Sequence, residues 1–272
     1  MLDLPSFLGG DYTFTADFLY SQGENSAVIL RGDLEDTGAV DADGRPIYES
    51  VRRESFVLTN SDDEQNTTLS ISGGIQKSYD NGFNYVLGYA YTDSKDVNPM
   101  TSSVAFSNYT NRAAFDPQEQ VASTSDYNIK HRFTAVANYE RNFFQDFATR
   151  VSAVGVVRSG LAYSIVDPDA EVSAVRFTSP DLLLTPGSRN EEFGSWWGKV
   201  DLRFEQEFPG IQDGHNAAAF IVIDNFTNLL NDEWGVLREP DFPPTVEIGQ
   251  RAESRQGDAS RYQIRVGVRY VF

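Results

Sequence analysis

The chain contains no cysteine, and only two of its 272 residues are histidine. Without thiols there are no disulfides and no thiolate metal centre. Two isolated imidazoles, His131 and His215, leave little from which to build a histidine-rich metal site or a Ser-His-Asp triad. Basic residues are also scarce: 22 Lys and Arg stand against 40 Asp and Glu, for a net charge of -18. Phosphate contacts need clustered cations, so nucleic acid is excluded as a partner. No run of about eighteen apolar residues occurs, which excludes a transmembrane helix and leaves a closed barrel as the one structure able to span a bilayer. The opening Met1-Leu2-Asp3-Leu4-Pro5 has neither a basic n-region nor an apolar h-region, so no signal peptide is expected.

What the chain does have is aromatic residues, 13% of the total, set in period-2 runs. The last strand, Ser260 to Phe272, is the sharpest. Tyr262, Ile264, Val266, Val268, Tyr270 and Phe272 share one face, and Arg261, Arg265 and Arg269 share the other. If the apolar column faces lipid, the arginines face a lumen, because the reverse places each near hydrocarbon at about 2–4 kcal/mol. The alternative is an edge strand of a soluble sandwich. With its aromatic end, the segment resembles the C-terminal strand of bacterial outer-membrane β-barrels that the barrel-assembly machinery reads.

The same alternation recurs upstream, with turn signals between runs. Tyr12, Phe14, Ala16, Phe18 and Tyr20 oppose Thr13, Thr15 and Asp17. Leu69, Ile71, Gly73 and Ile75 lead through Asp80-Asn81-Gly82, a hairpin signal, into Phe83, Tyr85, Leu87, Tyr89 and Tyr91. Phe133, Ala135, Ala137 and Tyr139 precede a turn at Asn142 to Asp146, and Phe147 to Val157 runs back with ambiguous facing. Val200, Leu202, Phe204 and Phe208, preceded by Trp196, alternate with Lys199, Asp201, Arg203, Glu205 and Glu207, a charged column suited to contacting a plug or a passing ligand or to lining a hydrated lumen. After turns at Pro209-Gly210 and Asp213-Gly214 the chain enters a strand through Ala218, Phe220, Val222, Asp224 and Phe226. Tyr12 to Leu34 and Val51 to Tyr79 each read as one long strand or a hairpin, so eight to ten strands are expected.

Connections alternate in length. Short ones near residues 80–82, 142–146 and 209–215 separate long polar ones at about 92–128, 167–195 and 228–259. Transmembrane barrels have this asymmetry, with short periplasmic turns and long external loops. The fold expected is therefore all-β, an antiparallel transmembrane β-barrel segment of meander topology filling residues 1–272, with no plug domain.

Ile223-Asp224-Asn225-Phe226-Thr227-Asn228-Leu229-Leu230-Asn231, then Trp234-Gly235, resembles the penultimate-strand N-x-x-N-L-x-N region of TonB-dependent outer-membrane receptors. Gly88 to Pro99, His131-Arg132-Phe133 and Arg158-Ser159-Gly160 are similar to segments of the Oar-like subgroup, which carries a carboxypeptidase-regulatory-like domain. That resemblance implies a 22-stranded barrel with a plug, energised through the TonB complex to import an unidentified ligand: a peptide, protein, glycan or siderophore. It implies residence in the cell outer membrane of a Gram-negative bacterium, among lipid. The chain has no room for the plug and holds fewer than half the strands, so it reads as the C-terminal barrel portion. The alternative is a self-contained small barrel acting as a pore, adhesin or structural protein.

Catalytic chemistry has weak candidates. Asp213-Gly214-His215 has the Asp-x-His spacing of omptin-type proteases but falls in a short turn, and His131 is followed by Arg132-Phe133 rather than the serine of outer-membrane phospholipases. Asp41-Ala42-Asp43-Gly44 begins like a calcium loop and lacks the remaining ligands, so a solvated turn is favoured. Acidic stretches at 33–43, 61–65 and 232–253 suit solvent, ligand or calcium. Phe106, Tyr109 and Phe115 are equally suited to stacking on a ligand or to packing loop on loop. No enzyme activity, cofactor or metal is expected.

Overall fold

The structure is a computed structural model, and it describes residues 2–4, 11–61, 65–170 and 180–272. The chain is mostly β-strand, with short helices and, among the described residues, no helix long and apolar enough to cross a membrane. Nine strands form one antiparallel meander: β1 (Leu2–Leu4), β2 (Tyr12–Gln22), β3 (Thr67–Ser78), β4 (Phe83–Asp96), β5 (His131–Phe144), β6 (Phe147–Arg158), β7 (Trp197–Pro209), β8 (Asn216–Asp224) and β9 (Gln263–Val271). Each pairs with its neighbour in sequence, and Ser123–Thr124 adds to β4 as a tenth strand. No pairing joins β1 to β9 among the described residues. Among the described residues the sheet therefore has two edges; it is antiparallel, as expected from the sequence, and closure into a barrel is not seen.

Register fixes the faces, because directly paired residues point the same way. One row reads Ile75, Leu87, Ala135, Gly155, Val200 from β3 to β7. Another reads Phe204, Ile221, Val266 from β7 to β9. The apolar columns thus fuse into one face, and that face is open: Phe18 is 70% exposed, Val266 75% and Val268 82%. The facing of β6 is now settled, with Val151, Ala153, Gly155 and Val157 on the apolar side.

Three boundaries differ from the sequence reading. The last strand is Gln263–Val271 rather than 260–272, since Ser260 ends a 3-10 turn (Asp258–Ser260) and Arg261 caps it. Arg261 and Tyr262 precede the strand and Phe272 follows it. In β8 the column Ala218, Phe220, Val222 and Asp224 lies on the polar side, and Ala217, Ala219, Ile221 and Ile223 are apolar. Phe220 finds room there because it lies across Gly267, where a Cβ would sit 2.4 Å from its ring. The early segment is resolved as β2 continuing beyond the sheet into two further pairings, Ala27–Arg31 with Phe56–Asn60 and Leu34–Val40 with Pro46–Ser50.

The meander sends all four long connections to one end of the sheet, and the turns after β3, β5 and β7 to the other. The long connections interlock into a cap. Ala113–Ala114 pairs in parallel with Asp181–Leu182, and Ala162–Val166 with Thr245–Glu247. Ala113, Phe115, Val166 and Leu183 form its core. Among the described residues, only Ala148 and Ala218 of the fully buried apolar side chains belong to the large sheet. Residues 62–64 of the acidic 61–65 stretch and 171–179 of the 167–195 connection lie outside the described residues.

Candidate functional site

On the polar face the charges named from sequence come together. Glu205, 5% exposed, accepts from Arg150 (3.1 Å), Arg203 (2.5 Å) and Arg269 (3.0 Å). Arg150 also meets Glu140 (2.8 Å) and Glu207 (2.6 Å). Lys199 pairs with Asp201 (2.8 Å) and Arg265 with Asp224 (2.7 Å). Four strands thus contribute to one charge-balanced network near the short turns, in which Arg150 bridges carboxylates on both flanking strands, Arg203 pairs along its own strand and Arg269 reaches across β8 to Glu205. Arg261 does not join it, because the 3-10 turn carries it above the strand. The first strands line the same face with neutral groups: Thr68 to Ser94 (3.0 Å), Ser70 to Thr92 (3.4 Å) and Asn138 to Asn84 (3.0 Å).

The apolar face is edged by two aromatic belts. Tyr79, Phe83 and Tyr85 cluster with centroids 5.9–6.4 Å apart beside the short turns, with Tyr139 on Phe143 and Tyr12 on Phe14 nearby. At the cap end Tyr89 lies 4.7 Å from Phe133, and His131 stacks on Trp196 at 5.8 Å. Tyr262, Ile264, Val266, Val268 and Tyr270 run between them. Each histidine sits in a belt with its Nδ1 hydrogen-bonded to a tyrosine hydroxyl, His131 to Tyr89 (2.9 Å) and His215 to Tyr270 (2.8 Å). His215 also lies against Phe272, so the Asp-x-His spacing serves a turn packed on the last strand.

The asparagine-rich segment is a structural knot between sheet and cap. Asn225 adopts φ 53°, which suits asparagine, and caps the helix α2 (Phe226–Leu230). Its backbone N–H donates to Asp201 (2.7 Å), and its Nδ2 to the Gly235 carbonyl (3.0 Å), which also accepts from Trp197 Nε1 (3.2 Å). Asn228 Nδ2 donates to the carbonyls of Asp232 and Trp234. Gly235 has φ 64°, and a Cβ there would fall 2.0 Å from Asn225 Oδ1. The motif therefore anchors the last long connection to the polar face.

Inside the cap, buried charge replaces the expected solvated loops. Arg31 grips Asp33 at 2.8 and 2.6 Å. That guanidinium, with the Ser55 N–H and Ser50 hydroxyl, holds the Asp33 carboxyl far below the usual carboxylate range. Arg45 pairs with Asp43 (2.7 Å), donates to the Leu183 carbonyl (2.8 Å) and lies 4.9 Å above Phe115. Asp41 accepts from the Asp43 and Arg45 backbones, so this stretch is the favoured turn, its carboxylates already matched by a cation. Arg189 meets Asp96 (2.9 Å) and the Ser123 carbonyl. Tyr109 is fully buried and Phe115 nearly so, which decides for loop packing over ligand stacking; Phe106 stays exposed against Phe56. Burial raises the pKa of Tyr109 and, with Asp116 accepting its hydroxyl, of Tyr48. Burial likewise raises the carboxyls of Glu119 and Asp126 and lowers Arg112. No group of three or more His, Asp or Glu side chains among the described residues is placed to hold a metal ion.

No protein-family model, curated protein or solved structure matches this chain.

Proposed function

We propose that the chain is the C-terminal β-barrel portion of a TonB-dependent outer-membrane receptor, of the Oar-like subgroup, that binds a ligand and carries it across the outer membrane. The observation that carries this reading is the open apolar face between two aromatic belts. Monomeric soluble proteins rarely expose contiguous apolar patches beyond a few hundred Å², whereas a lipid-facing surface needs this arrangement. Three features agree with it. The polar face pairs most of its charges with one another and leaves Arg132 and Asp17 exposed, as a hydrated lumen wall allows. All long connections share one end, matching short periplasmic turns and long external loops. The Asn225 to Gly235 segment, on which the resemblance rests, has a defined anchoring role. The reading assigns the apolar face to lipid, the last strand to the barrel-assembly machinery, and energy coupling to TonB through parts of a longer receptor.

The test is to refold the full chain with phosphatidylcholine vesicles brominated at known acyl depths and to follow tryptophan quenching. Integration predicts strong quenching, with Trp196 nearest the interface. A folded sheet left unquenched in the aqueous phase overturns the reading. Upstream coding sequence separates receptor from small barrel: a continuous frame encoding a plug supports the receptor, and a stop codon close upstream supports a free-standing pore, adhesin or structural barrel.

A further inference from the structure

On the polar face, the cations of the long strands meet carboxylates: Arg150, Arg158, Lys199, Arg203, Arg265 and Arg269. Arg132 is the exception among the described residues; it is exposed and has no partner. It stands directly opposite Arg158, already held by Glu239 (2.5 Å) and stacked 5.5 Å from the Trp197 ring. Like charges placed directly opposite are destabilising, so sheet packing does not explain Arg132. Along the same row register runs Arg132, Ala90, Ser72, Asp17. Asp17 is likewise exposed and unpaired among the described residues. The two free charges are of opposite sign, three strand spacings or about 14 Å apart at Cα, across small side chains. Gly74 and Gly88 on one side, and the Ser70 and Thr92 hydroxyls on the other, keep that floor low and polar.

We infer that this row binds a short peptide with free termini, its carboxylate on Arg132 and its ammonium on Asp17. An extended tripeptide spans about 10 Å, and the two side chains close the remaining distance. A single amino acid is too short to reach both. The guanidinium fork matches a carboxylate bidentately, and the serine and threonine hydroxyls face the peptide amides. The assignment names the ligand class of the proposed transport path and rests on that reading.

The test is calorimetric titration of the vesicle-refolded full chain with trialanine, its C-terminal amide and its N-acetyl derivative, with quenching by brominated lipid read on the same sample. Losing one charge-assisted contact is expected to weaken binding about tenfold. Arg132→Gln should weaken trialanine by that factor and remove the difference between trialanine and its amide. Asp17→Asn should do the same for the acetyl derivative. Trialanine that fails to bind, or amide sensitivity unchanged in Arg132→Gln, overturns the site. A chain that integrates but ignores trialanine removes the peptide site alone. A chain that folds without integrating removes the membrane reading, and its titration still decides the site.

Discussion

The cap and the sheet are built from one chain on opposite plans. The cap hides Val28, Tyr109, Phe115 and Leu183 together with the charged side chains of Arg31, Asp33 and Arg45. The sheet hides almost no apolar side chain and displays Phe18, Ile71, Val266 and Val268. Ion pairs divide only in part, since Glu205 of the sheet is buried and Arg52 with Glu35 in the cap is open. Cap pairs such as Arg31 with Asp33 have side chains 4% and 0% exposed, whereas Arg265 with Asp224 is open at 65% and 29%. The contrast is the one the proposed reading requires, a sheet that faces lipid and a cap that faces water.

The largest expected effect sharpens that contrast from the cap side. Asp33→Ala removes the bidentate carboxylate from the buried Arg31 guanidinium, and should cost the cap about 3–5 kcal/mol. Protease susceptibility of the 23–66 connection is the readout, with the strands themselves unaffected. Next comes the sheet: Val266→Arg should cost about 2–4 kcal/mol in vesicles, measured by urea titration. The same change at Val40, also exposed (63%) but in the cap, should stay within about 0.5 kcal/mol. Equal costs at the two positions would erase the two-solvent distinction. Asn225→Ala removes a helix cap at the junction and should cost about 0.5–2 kcal/mol, with loss of protection at the Trp197 indole. Arg265→Gln, in an exposed pair, should change stability by no more than about 1 kcal/mol.

A pH series separates the cap carboxyls by sign. Asp33 has its folded pKa depressed, so its contribution is present above its unfolded value near 4 and is lost as pH falls through the folded value. Glu119 and Asp126 have folded pKa values raised by burial, so what they contribute is present below about 4 and fades as pH rises through the folded values. Asp33→Asn should therefore flatten the acid limb of cap stability, while Glu119→Gln should raise stability at neutral pH. Proteolysis rates between acid and neutral pH check both.

The sheet was legible because its signal is local. Period-2 columns at Tyr12 to Tyr20, Phe83 to Tyr91 and Val200 to Phe208 predict their own facing, and turn residues mark the short connections. Where both columns carry small or apolar groups the signal vanishes, as at Phe147 to Val157. At Ala218 to Asp224 the column named is the one that faces the charges, since Phe220 depends on the absence of a side chain at Gly267. The cap was not legible, because its buried groups are arginine, aspartate and asparagine, which read as solvated loop. Nothing near Arg45 in the sequence announces the Leu183 carbonyl. Of the polar-face residues named, all but Arg261 lie on the face, while Arg132 and Asp17 emerge only when register sets four strands side by side.

The separation between contacts in the cap has a consequence for the order in which the molecule comes together. Hairpins of the meander close over short stretches of chain, but Arg31 meets Gln118 across 87 residues, Arg189 meets Asp96 across 93, and Arg45 meets Leu183 across 138. Closing such long loops is entropically costly until the intervening strands are paired. The cap is therefore expected to lock last, after the strands beneath it have paired.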